Sequence, residues 1–284
     1  MKQIKSESEI LKIFKKSSLF SNKWSSYFSV YDKIFKPYKN KIITFVEIGV
    51  LNGGSLLMWK KYFSKNSTII GIDLNPEAKK LEKYGFKIFI GNQTEKLFWK
   101  DFYKKIGKVD ILLDDGGHKN LHQISTVHYS LSNIKNGGLI VVEDTSASYM
   151  REFSNPSEYS FINYCKNIIE SIHRRSPLLK KNLNKYSKKV FSIDFYESIV
   201  VFNINKNKCK KSKFITNFIN TNNLNDFRHD AYFQNTKKFI NKKLEFINKI
   251  KFLRKIIRKL LYKNFLIEFY ENARIKKILK DIKR

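Results

Sequence analysis

The amino-acid sequence predicts an α/β fold in which a mostly parallel, doubly wound sheet is covered by helices on both faces. The first observation is that short β-branched apolar runs alternate with amphipathic helical patterns along residues 42–142. The second is that all eleven glycines lie between Gly49 and Gly138. Glycine is needed where the backbone turns tightly or approaches a ligand, so we expect the binding loops in this segment.

The strands of this segment are predicted from short apolar runs, as expected for parallel strands buried on both faces, and the helices from the 3.6-residue period between them. The predicted strands cover residues 42–48, 68–72, 87–90, 109–113 and 138–142, and the helices residues 55–63, 76–84, 94–106 and 122–134. Residues 190–193 and 199–204 flank a polar turn and predict a closing antiparallel hairpin. Further helices are predicted within residues 1–36 and over residues 153–174.

Three parts of the chain follow from these patterns. Residues 1–38 form a helical N-terminal cover, and residues 39–204 form the α/β domain with a helical insertion at about 150–185. Residues 205–284 form a basic helical C-terminal extension, because they hold 23 Lys and Arg against 6 Asp and Glu. The extension therefore carries +17 of the formal net charge of +31.

Composition bounds the class of protein. Cys165 and Cys209 do not form a disulfide scaffold and fit a reducing compartment. The first residues lack the apolar run of a signal peptide, and no run of about 18 uncharged apolar residues is present. We therefore expect a cytoplasmic protein, soluble or peripheral to the inner face of the membrane. The net charge of +31 is compatible with nucleic acid, an anionic membrane, an anionic substrate, or a lysine-rich composition without function.

A glycine turn follows the first predicted strand and leads into a helix. Its spacing is Gly-x-x-x-Gly over Gly49 and Gly53, and Glu47 stands just before it. A carboxylate there would repel a pyrophosphate but suits a cofactor that carries an ammonium and a sulfonium group. The turn therefore favours S-adenosylmethionine over a dinucleotide, with an ordinary strand–turn–helix as the alternative.

Polar residues also end the second and third predicted strands. Asp73 lies about 20 residues after the glycine turn, where an acidic side chain binds ribose hydroxyls in nucleotide-binding α/β sheets. A lone aspartate at this point can also cap a helix. Asn92 and Gln93 follow the third strand, and their amide groups are candidates for contacts with an adenine edge.

Acidic residues and a histidine end the fourth and fifth predicted strands. Asp114, Asp115 and His118 follow one strand, and Glu143 and Asp144 follow the next. Carboxylates that converge repel each other unless a cation is present, and their oxygens suit Mg²⁺. We expect Asp115, Glu143 and Asp144 to bind the ion, Asp114 to face the methionine end of the cofactor, and His118 to act as general base. The alternative is a set of helix caps and surface charges.

An ordered set of motifs resembles a known family. VEIGVLNGGSLLMWKKYF, IIGIDLNP, GNQTE, LLDDGGH, NGGLIVVEDT and SIDFYESIVVF resemble the metal-dependent sugar O-methyltransferases of macrolide biosynthesis and the related family called cephalosporin hydroxylase. The resemblance covers about residues 23–204 and implies a Rossmann-like class I methyltransferase fold. Many members have an acidic residue where this chain has Asn92. The implied residues are the base His118, the magnesium ligands Asp115, Glu143 and Asp144, the cofactor residues Glu47, Gly49, Gly53, Ser55 and Asp73, and Tyr27 in a cofactor-covering element at residues 23–27.

The basic extension contains an amphipathic pattern at residues 245–265, with apolar residues on one face and Lys and Arg on the other. Such a helix can lie on an anionic membrane, or pack on a sister subunit or on the α/β domain.

The sequence thus predicts a methyltransferase that uses S-adenosylmethionine and Mg²⁺ on a sugar hydroxyl. We expect the sugar to be nucleotide-linked or part of a surface polysaccharide. The alternatives are a phosphate or phosphoramidate oxygen of a capsule precursor, a small phenol, a nucleic-acid-binding Rossmann protein, or a membrane-surface scaffold. No nucleic-acid partner is expected, because aromatic residues are not interleaved with the basic run. A homo-oligomer is a further alternative that the sequence leaves open.

Overall fold

A computed structural model describes residues 7–153, 157–179, 182–210, 212–215, 217 and 272–279. The chain divides into two compact units, Met1–Phe214 and Ile215–Arg284. In the second unit the structure describes a helix at residues 272–279. The predicted amphipathic helix at 245–265 lies outside the described residues. The predicted three-part division stays a prediction.

The first unit is built on a seven-stranded sheet with the order β3-β2-β1-β4-β5-β7-β6. β1 to β5 pair in parallel, and β7 pairs antiparallel with both β5 and β6. The predicted α/β class, parallel sheet and closing antiparallel hairpin are confirmed. The strands are β1 (Thr44–Ile48), β2 (Thr68–Asp73), β3 (Lys87–Ile90), β4 (Val109–Asp114), β5 (Ile134–Val142), β6 (Val190–Tyr196) and β7 (Ile199–Ile204).

Helices pack on both faces of this sheet, and most lie where the sequence pattern predicts them. The α-helices are α1 (Glu9–Lys15), α2 (Tyr27–Phe35), α3 (Gly54–Tyr62), α4 (Lys96–Ile106), α5 (Asn120–Ser130) and α6 (Phe161–His173). Shorter 3₁₀ segments cover Lys36–Tyr38, Thr145–Tyr149, Arg151–Phe153 and Lys206–Lys208. The described helices include none that is long and apolar enough to cross a membrane.

Three predicted elements differ in type or extent. The predicted helix at 76–84 is a 3₁₀ helix that begins at Pro76 and is closed by Gly85 in a left-handed conformation. The predicted helix at 122–134 ends at Ser130, and Ile134 instead begins β5, which is longer than predicted. The predicted helix at 153–174 begins at Phe161, because the Ser160 side chain accepts a hydrogen bond from the Asn163 amide and caps it.

The core forms two layers, because successive residues of a strand point to opposite faces of the sheet. Phe45 of β1 belongs to the layer that also contains the apolar residues of α1, α2 and α3. Its neighbour Val46 belongs to the second layer, with apolar residues of α4, α5 and α6. Both residues are fully buried, as expected for a parallel strand covered on both faces.

The N-terminal helices are part of the first core layer. Tyr31 and Phe35 of α2 pack edge-on against Trp59 of α3, with ring centroids 5.2 Å apart in each pair. The segment between α1 and α2 is held to the start of α3, since the Gly54 amide donates to the Phe20 carbonyl oxygen at 3.2 Å. This packing fixes the segment that leads into α2 across the carboxyl ends of the parallel strands.

Candidate functional site

A cavity of about 730 Å³ opens at the carboxyl ends of the parallel strands. The strand order reverses direction between β1 and β4, and open α/β sheets bind ligands at this point. The volume lies in the range typical of small-molecule sites. Of the predicted site residues, the cavity wall includes Tyr27, Gly49, Asp73, Asn92, Gln93, Asp115, His118, Glu143 and Asp144. The others, Glu47, Gly53, Ser55 and Asp114, do not line it.

The turn after β1 is held by short backbone contacts. Gly49 has φ of +80°, and its amide donates to the Ile72 carbonyl oxygen at 2.8 Å. A Cβ atom at Gly49 would lie 2.1 Å from the carbonyl oxygen of Asp115. The Asp115 amide in turn donates to the carbonyl oxygen of Ile48 at 3.0 Å. The β1 and β4 turns therefore lie in direct backbone contact, which only glycine permits at this position.

Asp73 ties the end of β2 to that turn. One carboxylate oxygen accepts a hydrogen bond from the Val50 amide at 2.9 Å, and the other accepts from the Asn75 amide at 2.8 Å. The side chain is thus fixed at the cavity wall, and each oxygen keeps lone pairs for further donors. The predicted ribose-binding role of Asp73 stays a prediction.

Glu47 and Ser55 form a buried pair behind the cavity wall. The Ser55 hydroxyl donates to Glu47 Oε2 at 2.9 Å, and both side chains are buried. Burial raises the pKa of Glu47 to about 7, although the nearby ammonium of Lys23 acts in the opposite direction. In the structure these two side chains contact each other, and neither lines the cavity. The predicted roles of Glu47 and Ser55 in cofactor binding stay predictions.

Gln93 and Asp114 form a second buried pair that supports the β4 turn. The amide nitrogen of Gln93 donates to both oxygens of Asp114, at 3.1 and 3.0 Å. The Gln93 carbonyl Oε1 accepts from the Gly117 amide at 3.2 Å. Burial raises the pKa of the Asp114 carboxyl. These contacts occupy the Gln93 amide group, and Asn92 Oδ1 accepts from the Thr94 amide and hydroxyl, each at 2.9 Å. The predicted adenine contacts of both residues stay predictions.

Asp115, His118 and Asp144 converge at the cavity wall. One ligand atom from each, all within 4.8 Å of one another, forms a group that can hold a metal ion. His118 Nδ1 lies 3.7 Å from Asp144 Oδ2. The other Asp144 oxygen accepts from the Tyr27 hydroxyl at 2.7 Å and from Trp24 Nε1 at 3.2 Å. Hard carboxylate oxygens beside an imidazole are a donor set that fits a divalent cation.

His118 and Asp144 also have unusual backbone conformations. Their φ angles are +55° and +52°, in the left-handed region that non-glycine residues seldom adopt. Such a conformation costs free energy, and residues that keep it are concentrated at functional sites. The two strained residues face each other across the candidate metal group.

Glu143, predicted as a metal ligand, lies deeper than Asp144 and is fully buried. Its Oε1 accepts a hydrogen bond from the Tyr31 hydroxyl, and its Oε2 accepts from the Lys23 ammonium at 2.8 Å. Burial raises the pKa of Glu143 to about 8, although Lys23 opposes this effect. Both oxygens therefore have protein donors, and the metal-binding role of Glu143 stays a prediction.

Lys23, Trp24 and Tyr31 are site residues whose contacts the sequence did not reveal. Residues 23–27 were singled out only by resemblance, as an element that covers the cofactor. The sole local signal for Tyr31 is its position one helical turn after Tyr27, which places both hydroxyls on the same side of α2. The side-chain hydrogen-bond partners of all three residues lie more than 90 positions away in sequence.

Comparisons with known proteins agree with the predicted resemblance. No family model matches the chain. The 8-demethyl-8-alpha-L-rhamnosyl tetracenomycin-C 2'-O-methyltransferase of Streptomyces olivaceus is 29% identical over 165 residues, which are 54% of this chain and 43% of that protein. The mycinamicin VI 2''-O-methyltransferase of Micromonospora griseorubida is 30% identical over 160 residues, 52% of this chain and 40% of that protein. The chain thus spans less than half the length of these relatives.

A solved structure shows the same fold. The MycE methyltransferase from the mycinamycin biosynthetic pathway, in complex with Mg, SAH and mycinamycin VI, superimposes with a TM-score of 0.64 at 21% identity. The match covers 81% of this chain and 58% of that chain. The fold of the first unit is therefore the Rossmann-like fold of class I methyltransferases, and the curated relatives are named O-methyltransferases.

Proposed function

We propose that the chain is an S-adenosylmethionine-dependent, Mg²⁺-assisted O-methyltransferase that acts on a sugar hydroxyl. One observation carries the proposal. A single cavity has a ribose-type carboxylate, Asp73, in one part of its wall and the Asp115, His118 and Asp144 group in another. A cofactor bound across the strand ends would thus present its methyl group to an acceptor held at that group.

The part of the cavity wall that contains Asp73 and Asn92 is suited to bind a nucleoside. Asp73 is fixed by two backbone amides, and Asn92 lies in the wall beyond it. Gly49, which also lines the cavity, lets the β1 turn lie against the backbone of Asp115. The hydroxyl of Tyr27 lies at the junction with the metal group, where it donates to Asp144. Of the predicted cofactor residues, those that line the cavity are the ones for which we propose direct contact.

The acceptor end supports a metal-assisted deprotonation. A divalent ion held by Asp115 and Asp144 would lower the pKa of an acceptor hydroxyl and orient it. The imidazole of His118 is in reach of a group at that point and can accept the hydroxyl proton. Asp144 Oδ2, at 3.7 Å from His118 Nδ1, would then stabilise the imidazolium. Bound S-adenosylmethionine would supply the methyl group from its positively charged sulfonium, and a neutral thioether would remain.

A sugar fits the surroundings of this group. Trp24 is 67% exposed, yet its indole nitrogen is anchored on Asp144, so a ring face is presented at the cavity edge. The C–H face of a pyranose packs well on such a ring. Phe153 adds a second aromatic ring, 6.0 Å from the His118 ring. One of the relatives reported above is, by its name, a 2'-O-methyltransferase of a rhamnosyl tetracenomycin, which is a molecule that carries a sugar.

The carrier of the sugar is inferred from charge. The net charge of +31 attracts polyanions, and the exposed Lys119 follows His118 directly. A nucleotide-linked sugar or an anionic surface-polysaccharide precursor matches this charge better than a neutral macrolide does. The alternative acceptor, a phosphate or phosphoramidate oxygen of a capsule precursor, is favoured by the same charge. Cytoplasmic location, contact with a membrane surface and a homo-oligomer stay predictions.

The test is a methyl-transfer assay with a panel of nucleotide-linked sugars and sugar phosphates, with and without Mg²⁺, read by mass spectrometry. We expect turnover only with a divalent ion, and the mass and fragmentation of the product to place the methyl group on a sugar hydroxyl. Asp115→Asn and His118→Ala should each abolish turnover while S-adenosylmethionine still binds, as measured by calorimetry. Asp101→Asn and His173→Ala, at exposed positions, are the matched controls. Undiminished turnover in His118→Ala, or transfer to phosphate alone, would contradict the proposal.

A further inference from the structure

His122 lies in the first turn of α5, and its imidazole forms part of the cavity wall. The residue is half-buried, and its Nδ1 atom is buried with no hydrogen-bond partner among the described residues. Its Nε2 atom is accessible and likewise makes no hydrogen bond with a described residue. Because polar atoms inside proteins are nearly always paired, an unpartnered imidazole in a cavity wall indicates a contact with a ligand.

Gly117 makes room for this imidazole. A Cβ atom at Gly117 would lie 2.1 Å from His122 Nδ1 and 2.5 Å from His122 Cε1, and the three atoms nearest to it all belong to that ring. Gly117 does not have a positive φ, so its backbone is not what requires glycine. The Gly117 amide donates to Gln93 Oε1 at 3.2 Å, which holds the ring beside the end of β3.

The imidazole of His122 is a neutral hydrogen-bonding group. Burial lowers the pKa of His122, although the charge of Asp114 acts in the opposite direction. At pH 8 the ring therefore carries one proton, on one of its two nitrogens. Nδ1 has no acceptor among the described residues, so we assign the proton to Nε2. The accessible nitrogen is then an N–H donor.

The surroundings of His122 suit a flat aromatic base. Leu74 lines the same cavity and is 69% exposed although its side chain is large and apolar. It directly follows Asp73, the predicted ribose ligand, so apolar surface lies beside the place where a ribose would be held. The amide group of Gln93, a predicted adenine contact, is already bonded to other residues. His122 is therefore a polar group of the wall that is free to bond to a base.

We propose that His122 determines the specificity of the cofactor site for the base, because its Nε2–H donates a hydrogen bond to a ring nitrogen of the adenine. The inference rests on the proposed function for the presence of S-adenosylmethionine. It adds a base contact from the first turn of α5 to those predicted at the end of β3. Gly117 is then a positioning residue, because the absence of its side chain lets the imidazole lie at the wall.

The test compares S-adenosylhomocysteine with its 1-deaza, 3-deaza and 7-deaza analogues, each of which has C–H in place of one acceptor nitrogen of the purine. Dissociation constants are measured by calorimetry at pH 8 with the full chain. At least one analogue should bind about fivefold more weakly than S-adenosylhomocysteine to the unaltered chain, but equally well to His122→Ala, because the hydrogen bond is lost in both cases. His173→Ala, at the exposed end of α6, is the matched control and should discriminate as the unaltered chain does.

The same discrimination in His122→Ala and His173→Ala would overturn the proposal, since His122 would then only pack in the wall. Gly117→Ala keeps the proposal testable if His122→Ala does not fold. Its added methyl group displaces the imidazole, so this variant should lose the same discrimination, and retained discrimination would count against the proposal. If the unaltered chain binds none of these compounds, the proposed function fails together with this inference. Binding without a change in discrimination overturns the inference alone, so the two failures are distinguishable.

Discussion

Replacing Gly49 by alanine perturbs the point where the β1 and β4 turns touch. The added Cβ would lie 2.1 Å from the Asp115 carbonyl oxygen, 2.8 Å from its carbonyl carbon and 2.9 Å from the Gly116 Cα. All three atoms are backbone, so the contact is relieved only if one turn moves. Gly49 also has φ of +80°, where an L-residue is strained.

The cost has two parts that a second variant separates. A left-handed conformation costs an alanine about 1–2 kcal/mol. Overpacking adds about 1–3 kcal/mol, and the stiffer unfolded chain returns about 0.4–1 kcal/mol. Gly137 has φ of +87° with nothing within 4 Å of its added Cβ. Gly137→Ala therefore has the cost of the left-handed conformation and the gain from the stiffer unfolded chain, but no overpacking. Gly49→Ala should therefore lose about 1–3 kcal/mol more of the free energy of unfolding than Gly137→Ala.

Urea denaturation of both variants, followed by tryptophan fluorescence, measures this difference. The functional consequence is measured by Mn²⁺ titration, because a moved Asp115 leaves the candidate metal group. Gly49→Ala should bind Mn²⁺ at least tenfold more weakly, and Gly137→Ala should bind as the unaltered chain does. Equal losses of stability would refute the reasoning, since the backbone contact would then contribute nothing beyond the strain of positive φ.

Two further predictions concern buried and exposed polar contacts. Ser55→Ala should lower the free energy of unfolding at pH 8 by about 1.5–3 kcal/mol, the range for a hydrogen bond to a charged group, while the dissociation constant for S-adenosylmethionine changes less than threefold. A tenfold loss of affinity with unchanged stability would make Ser55 a cofactor ligand instead. The pKa of His128 is lowered by burial and by the charge of Lys185. Below about pH 6.5 the unfolded chain therefore binds more protons than the folded chain, and the free energy of unfolding decreases as the pH is lowered. His128→Gln should reduce this loss, measured as urea midpoints at pH 8 and pH 5, and an unchanged difference between the two midpoints would contradict the assigned cause.

The strands could be predicted from the sequence because each is a local pattern. The run at residues 44–48 is mostly apolar, is rich in β-branched residues and is followed by Gly49, and every member is buried or half-buried in the sheet. The helix types were harder to predict. Residues 76–84 carry a helical apolar period but form a 3₁₀ helix, because period alone does not distinguish the two hydrogen-bond patterns.

The strand-end residues of the site could be predicted for the same reason, since parallel strands bring their carboxyl ends together. The sequence could not show which carboxylate has which partner. Glu143 and Asp144 are adjacent and both line the cavity, yet Glu143 is fully buried against Lys23 and Tyr31, whereas Asp144 is partly exposed. That difference depends on an N-terminal segment 120 positions away from Glu143. No spacing rule within the strand motifs encodes it.

The packing of α1 and α2 into the first core layer bears on how the chain can be shortened. The segment that joins these helices supplies Lys23 and Trp24, and α2 supplies Tyr27 and Tyr31, all with partners at the strand ends. A fragment that begins at β1 would lose both a hydrophobic face and the Lys23 ammonium that pairs with Asp115 and Glu143. Any minimal active fragment must therefore include α1, whereas residues beyond Phe214 belong to a separate compact unit and are the natural place to shorten the chain.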